Sequence, residues 1–542
     1  MAKGSKRKSR ERQKPAPAVL AVNGETAQFE TRQPRAPAPI RKTPDGTIRF
    51  FNGKNICRIL LIAGAILWIY WPVLHGDWLW DDDTLISQNA VVHDPEGILD
   101  IWFSPGDLID YFPLSATMEW LGWQLWADDT LGYHLMNIIL HVCSALLVWR
   151  LFSKLGLRLA WLGGLLFAIH PVMVESVAWM AELKNTLSMP PFLLAMCAWI
   201  DYDRRGKLED YFLALGFFLV AMLCKSTMVM FPVVILLFAW WRRGRIGWRD
   251  LQHTVPFFAI SLAVGLTLIA FLRHGVGEDT IPLGGFLSRL ACAGLSLSFY
   301  FSKCFLPVQL LPIYPQWTIN PPEPWQFIPW LLLASALCWL LSKPASWARH
   351  ALFGFGFFLI NLAPFVGFRA ISFMRFAWVM DHFLYLPIIG LFGLTVAALG
   401  QMDERLSPSA RRYAIGGIAL LAVLLAFGSH RYAKIFVNSE ALWTYAIRHY
   451  PEAWPPHNNL GNTLANEGRL AEAQEQYEEA LQLNPGYPEA HNNLGIIFAR
   501  TGQYSKAIVQ FEEALRLCPE LESAQQNLAK VEAAQNAVRA AQ

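Results

Sequence analysis

The sequence predicts an all-α protein in two parts: a polytopic membrane bundle of about 11–12 helices, followed by a helical-repeat solenoid. Three observations carry this. Hydrophobic residues make up 54% of the chain and charged residues only 16%, where a soluble domain averages roughly 25% charged. The apolar residues fall in blocks close to the roughly 20 that a helix needs to cross a bilayer. The carboxyl-terminal stretch is polar and repeats itself every 34 residues. The organisation expected is an arm at 1–50, a membrane domain at 51–430 and a repeat domain at 431–542.

Residues 1–50 are polar and rich in Lys, Arg and Pro, with seven basic residues from Lys3 to Lys14. Such a composition cannot bury a core and reads as a disordered cytoplasmic arm. Its position beside the first apolar block makes it an orientation signal, not a nucleic-acid site. Apolar blocks follow at 56–74, 131–152, 157–169, 187–200, 211–223, 228–241, 255–272, 290–306, 327–341, 351–365, 383–399 and 413–427. Basic residues mark cytoplasmic turns. Lys154 with Arg158, the group Arg204, Arg205 and Lys207, the group Arg242, Arg243, Arg245 and Arg249, Lys343 with Arg349, and Arg405 with Arg411 and Arg412 serve as those marks. With the amino terminus inside, this pattern puts the segments 71–129 and 170–185, the short turn at Lys225, the segment 367–382, and everything after 427, on the outer face. Twelve crossings would return the end of the chain to the inside. Eleven are therefore expected, with 290–306 as the broken or re-entrant segment because it carries Lys303 and ends at Pro307.

The first outer segment holds Asp81-Asp82-Asp83 between tryptophans, in HGDWLWDDDTLISQN. Tryptophan favours the membrane interface, so these carboxylates are expected at the bilayer surface beside a lipid-facing cleft. That is where a catalytic carboxylate acting on a membrane-borne substrate would sit. A solvated acidic loop is the plainer alternative. Polar residues also fall at helical spacing within the apolar blocks. His134, Asn137 and His141 share one helix face and suit a packing role. Near the outer face stand His170, before Pro171, and then Glu175 and Glu182, candidates for a supporting role because ionisable groups at membrane depth are costly. The eight cysteines form no Cys-x-x-Cys pair, so neither a zinc site nor a disulfide framework is expected.

In the repeat domain, Asn459-Leu460-Gly461 recurs as Asn493-Leu494-Gly495, Gly468 as Gly502, Ala473 as Ala507, Tyr477 as Phe511 and Pro485 as Pro519. A 34-residue period with this pattern is the tetratricopeptide signature. Full repeats are expected at about 452–485 and 486–519, with capping helices on both sides, because an end repeat cannot bury its apolar face alone.

The stretches WDDDTLISQN, YFPLSATMEW, GYHLMNIILH, HPVMVESVAWMAELKNTLS, LCKSTMVMFPVVILL and DHFLYLP, followed by the repeats, resemble in order the transmembrane and tetratricopeptide-repeat O-mannosyltransferases. These are C-type glycosyltransferases. The resemblance implies an inverting enzyme that moves a sugar, mannose in the familiar members, from a polyprenyl-phosphate donor to protein hydroxyl groups without a metal or cofactor. The repeats would then capture the acceptor protein. Asp81 and Asp82 match the family's acidic pair. One carboxylate of the pair would take the hydroxyl proton as the glycosidic bond forms, with Asp82 slightly preferred. Lys184, Lys225 and Arg375 are the cations expected to offset the departing lipid phosphate.

The chain also departs from the family pattern. Leu183 and Asn185 stand where Arg and Asp are usual, Phe112 replaces the arginine of a Tyr-Arg-Pro motif, and His382 replaces the arginine before Tyr-Leu-Pro. These losses imply a different donor, a rearranged phosphate site or lost activity. Two other readings follow: an inert membrane anchor displaying the repeats as a scaffold for envelope proteins, and a polysaccharide polymerase or ligase using polyprenyl-linked sugars. Carboxylates at 81 and 82 favour an enzyme over an anchor, and the repeats favour a protein acceptor over a glycan.

Overall fold

A computed structural model of the chain describes residues 52–104, 111–272, 283–343, 346–368 and 371–541. The basic arm expected at 1–50 lies outside the described residues. Among those described, the regular structure is helical throughout, with no strand. Among the described residues, seven helices are long and apolar enough to cross a membrane, or eight if one bent pair counts as a span. They are Gly53–Val73, Thr130–Lys154, Ser226–Arg243, Trp248–Leu268, Pro324–Leu341, Ser346–Phe365 and Pro408–Val437. The chain is a multi-pass membrane protein, but by length and composition the count falls below the eleven expected.

The shortfall has physical causes. Leu208–Cys224 has only 17 residues, about 25 Å at 1.5 Å per residue. Leu183–Arg205 and Ile388–Arg405 give their last turns to charged residues. The expected break also lies elsewhere. Phe286–Phe305, the segment suspected of failing to cross, is one continuous helix, and it is not among the helices long and apolar enough to span. The break falls instead after Ala160–Ile169, which turns by 58° into Pro171–Ala178. Pro171 removes a helical N–H and clashes with the preceding turn. His170 caps the new start, its Nδ1 accepting from the Val172 N–H at 3.4 Å.

The basic turns gather at one end of the bundle through ion pairs. Lys154 meets Asp201 at 2.6 Å, Arg158 meets Asp403 at 3.0 Å, Arg411 meets Asp403 at 2.5 Å, and Arg242 and Arg243 both bind Asp203. The acidic segment lies at the other end. Thr130 starts the 25-residue helix that ends at Lys154, and its hydroxyl donates to the Gly76 carbonyl at 2.7 Å. About 36 Å of helix therefore separates the two ends.

The repeats form as the 34-residue period requires. Helix Ser439–His449 leads into the pairs Trp454–Asn466 with Leu470–Leu483 and Pro488–Arg500 with Tyr504–Leu517, and Glu522–Ala541 closes the stack. Within each pair the helices touch at a glycine. A Cβ on Gly461 would stand 2.7 Å from the Tyr477 ring, and one on Gly495 would stand 2.7 Å from the Phe511 ring. The solenoid docks on the acidic end of the bundle. The Asp77 N–H donates to the Val437 carbonyl at 2.8 Å, the Tyr445 hydroxyl donates to the Leu310 carbonyl at 3.2 Å, and Arg375 pairs with Glu489 at 2.8 Å.

Candidate functional site

The acidic segment is held by an aromatic clasp. Trp80 has a positive φ of 46°, a costly conformation for a bulky side chain. Its ring stacks on Trp179 with centroids 5.3 Å apart and meets Trp443 at 5.2 Å and Phe376 at 6.0 Å. Each such aromatic contact contributes about 0.5–1.5 kcal/mol beyond burial, enough together to offset the backbone strain. Four segments distant in sequence thus meet at one residue: the acidic loop, the 170–185 segment, the stretch before helix Ile388–Arg405, and the first repeat helix.

Asp82 lies directly beneath this clasp. It is fully buried inside protein, so of the three carboxylates it is the one that does not open onto a cleft. The tryptophans beside it pack on other aromatics instead of lipid. Its Oδ2 accepts from the Leu79 N–H at 2.8 Å and its Oδ1 from the Ala181 N–H at 2.6 Å. Burial drives its pKa well above the ordinary carboxylate range, the two amide donors oppose this, and the neighbouring Asp81 and Asp83 add to it. Asp82 is thereby a strut that ties the acidic loop to the 170–185 segment. Asp81 is partly exposed. Asp83 accepts from the Ser87 hydroxyl at 2.8 Å.

Beside this strut runs a chain of buried polar groups. His382 Nδ1 meets Glu175 Oε1 at 2.8 Å, and Glu175 Oε2 accepts from the Asp381 N–H at 3.1 Å. His382 Nε2 lies 3.8 Å from Glu182, and Lys184 lies 3.9 Å from the same carboxylate. Asn185 donates to Glu182, and Lys225 donates to Asn185. Burial lowers the His382 pKa to about 3; Glu182 draws it up, while Lys225 and Lys184 hold it down. The imidazole is therefore neutral at physiological pH. Burial alone would raise the Glu182 pKa, but His382, Lys184, Lys225 and Asn185 together outweigh it and hold it below its ordinary value. With His382 neutral, Lys184 and Lys225 are the charges that keep Glu182 ionised.

Thus Glu175, Glu182, His382, Lys184 and Lys225 come together, and two of the departures, Asn185 and His382, are the links between them. The amide and imidazole bridge the carboxylates and lysines. A small cavity of about 20 Å³ opens beside Asn185 and His382, room for about one water. Phe365 and Phe383, stacked 4.1 Å apart, form its apolar wall near Lys225.

Two expected members stand apart from this chain. Arg375 is engaged by Glu489 of the second repeat and lies over the Phe376 ring, so it fastens the repeats to the bundle. His170 uses both ring nitrogens structurally, Nδ1 in the cap and Nε2 at 3.2 Å from the Cys304 carbonyl. His141 is likewise satisfied by the Tyr385 hydroxyl at 2.8 Å and the Ala168 carbonyl at 3.3 Å. Asn137 accepts from Thr186 at 2.5 Å and donates to the Trp179 carbonyl at 3.4 Å.

One residue was missed in the sequence reading. Asp381 is completely buried, and both its oxygens accept from the Tyr314 hydroxyl, at 3.0 and 3.1 Å. Burial pushes its pKa up, while Lys303, Tyr314 and Tyr432 pull it back. The only signal was its place at the head of DHFLYLP. Tyr314, its partner, sits in an unremarkable loop.

Comparison with known proteins matches residues 110–272 to the family model "Dolichyl-phosphate-mannose-protein mannosyltransferase" and residues 455–520 to a tetratricopeptide-repeat model. The chain is 25% identical to "Protein O-mannosyl-transferase F38B6.6" of Caenorhabditis elegans, over 81% of this chain and 64% of that protein. It is 22% identical to Tmtc3 of Drosophila melanogaster and 26% identical to human TMTC1, in each case over 79% of this chain and 55% of the relative. The chain thus spans somewhat over half the length of these curated relatives. Among solved structures, ArnT from Cupriavidus metallidurans bound to undecaprenyl phosphate aligns with a TM-score of 0.33 and 14% identity, over 82% of this chain and 79% of that one. The resemblance to the transmembrane and tetratricopeptide-repeat O-mannosyltransferases therefore holds in both halves of the chain.

Proposed function

We propose that this chain is a membrane glycosyltransferase that moves a sugar, mannose by its resemblance, from a polyprenyl-phosphate donor to serine or threonine hydroxyls of acceptor proteins. The observation that carries this reading is the convergence of the matching stretches. The acidic loop, the 170–185 segment, Lys225 and Asp381-His382 are far apart in sequence yet adjoin at one polar cluster beneath the repeats. In this reading Asp81 is the general base. Both oxygens of Asp82 are already committed to backbone amides, so Asp82 positions its neighbour, and the preference stated from sequence shifts from Asp82 to Asp81. A base that accepts the hydroxyl proton as the bond to the sugar forms typically contributes about 10²–10⁴-fold in rate.

Lys225 and Lys184 are the cations placed to bind the donor phosphate. Lys225 is buried next to the small cavity, and a phosphate reaching it would have to displace Phe365 and Phe383. Arg375 is left out of this role because Glu489 holds it. The basic turns would lie on the cytoplasmic side, which puts the acidic loop and the repeats on the outer face. Transfer without a metal or cofactor remains part of the proposal, since the lysines supply the positive charge.

The absence of arginine at Phe112, Leu183 and His382 favours a second reading, an inert anchor for the repeats. Purified full-length protein incubated with polyprenyl-phosphate mannose separates the two. The transferase consumes the donor and adds a hexose mass to a threonine peptide; the anchor leaves both untouched.

A further inference from the structure

A groove lies between the acidic loop and the first repeat. It encloses about 320 Å³. One wall carries Trp78, Trp80 and Asp83, and the other carries Asn459, Asn462 and Asn466. The three asparagines stand at i, i+3 and i+7 of helix Trp454–Asn466, so they form one stripe along it. The stripe continues into the next repeats. The Asn493 amide donates to Asn462 at 3.0 Å and to Asn458 at 3.3 Å, and the Asn527 amide donates to Asn492 at 3.0 Å. Within the groove itself, Asn462 and Asn466 are exposed.

A side-chain amide offers both donors and an acceptor. Asn462 Oδ1 already accepts from the Tyr477 hydroxyl at 2.7 Å and from Asn493 at 3.0 Å, so the row meets an extended backbone chiefly by donating its NH₂ groups to backbone C=O groups, whatever the side chains. The charge of the groove is one-sided: four of its lining residues are carboxylates, Asp77, Asp83, Glu440 and Glu467, and none is basic. Arg469 partly neutralises two of them, pairing with Glu440 at 2.9 Å and Glu467 at 3.0 Å. Asp77 is exposed and Asp83 partly so.

We propose that this groove binds an extended polypeptide segment with basic residues near its acceptor hydroxyl, held through its backbone by the asparagine stripe. Trp80 and Asp83, which line the groove, flank Asp81-Asp82 in the chain. A threonine bound against Trp80 and Asp83 would be within two residues, along the chain, of the proposed base. This deepens the transferase reading and rests on it for the fate of the hydroxyl, but binding itself is measurable without catalysis.

The test uses full-length protein in nanodiscs and fluorescent, unstructured threonine peptides flanked by lysines or by glutamates, with binding read by anisotropy. The lysine peptide should bind more tightly. Asn462→Ala with Asn466→Ala should weaken binding about tenfold, as loss of two hydrogen bonds predicts. Asn466→Trp, at an exposed position, should block the groove without disturbing the fold; the repeats' helical signal and melting verify that. Asp77→Asn should reduce the preference for lysine. Unchanged binding in both asparagine variants overturns the groove, as does equal binding of the two peptides. Binding that is lost in those variants while intact protein never consumes polyprenyl-phosphate mannose supports the groove and overturns the transferase reading instead. Donor turnover with groove-independent peptide binding does the reverse.

Discussion

Replacing Asp82 should harm the enzyme through its structure, whereas replacing Asp81 should harm it through its chemistry. Asp82 is buried and takes the Leu79 and Ala181 amides on its two oxygens. Asp82→Ala leaves two buried N–H groups without acceptors, at about 1–3 kcal/mol each, or about 2–6 kcal/mol together. Asp82→Asn keeps one acceptor and turns an NH₂ toward the other donor, so about half that cost is expected. The folded pKa of Asp82 is raised above its unfolded value, so the folded state holds the proton longer. Its contribution to stability is then fully present below about pH 3.9 and declines as pH climbs toward the raised folded value. Asp82→Asn should remove that decline. Asp81→Asn should cut transfer about 10²–10⁴-fold. The assay is thermal unfolding of the detergent-solubilised protein from pH 4 to 8, paired with donor turnover. If Asp82→Ala melts like the parent chain, the strut is refuted. If Asp81→Asn transfers at the parent rate, the base is wrong.

Lys225→Gln should lower donor kcat/KM about 10²-fold, measured with polyprenyl-phosphate mannose, while Arg375→Ala should change it little. The Arg375–Glu489 pair is partly exposed, so its loss should cost no more than about 1 kcal/mol of repeat docking, read as faster proteolysis of the repeats. Gly495→Val should destabilise the solenoid by about 1–3 kcal/mol through overpacking against Phe511, seen as an earlier melting phase. A cysteine at exposed Glu520, in a chain carrying Cys518→Ser, should react with an impermeant thiol reagent from the side opposite the basic turns; reaction only after membrane rupture would reverse the topology.

The repeats were legible because their information is local and periodic. A glycine every 34 residues opposite Tyr477 or Phe511, and turn glycines at 468 and 502, state the geometry within one helix pair. The membrane class was legible for a similar reason, since lipid demands long apolar runs wherever they fall. The acidic loop, Glu175 and Glu182 were also found from sequence, because charges beside apolar blocks stand out, while Lys184, Lys225 and His382 were marked by the family resemblance.

Their partners were not legible. Whether Asp82 faces lipid, water or the Ala181 amide depends on a contact spanning 99 residues, and no local pattern encodes it. The same holds for Arg375, which a glutamate 114 residues away draws to the repeats, and for Asp381, whose partner Tyr314 lies 67 residues back. The chain break moved from 290–306 to His170-Pro171 because a lysine within an apolar block is less disruptive than a proline after ten helical residues. Sequence settled which residues are costly to bury. Tertiary structure decided which partners offset that cost, because only packing brings acceptors and donors from distant segments within hydrogen-bond reach.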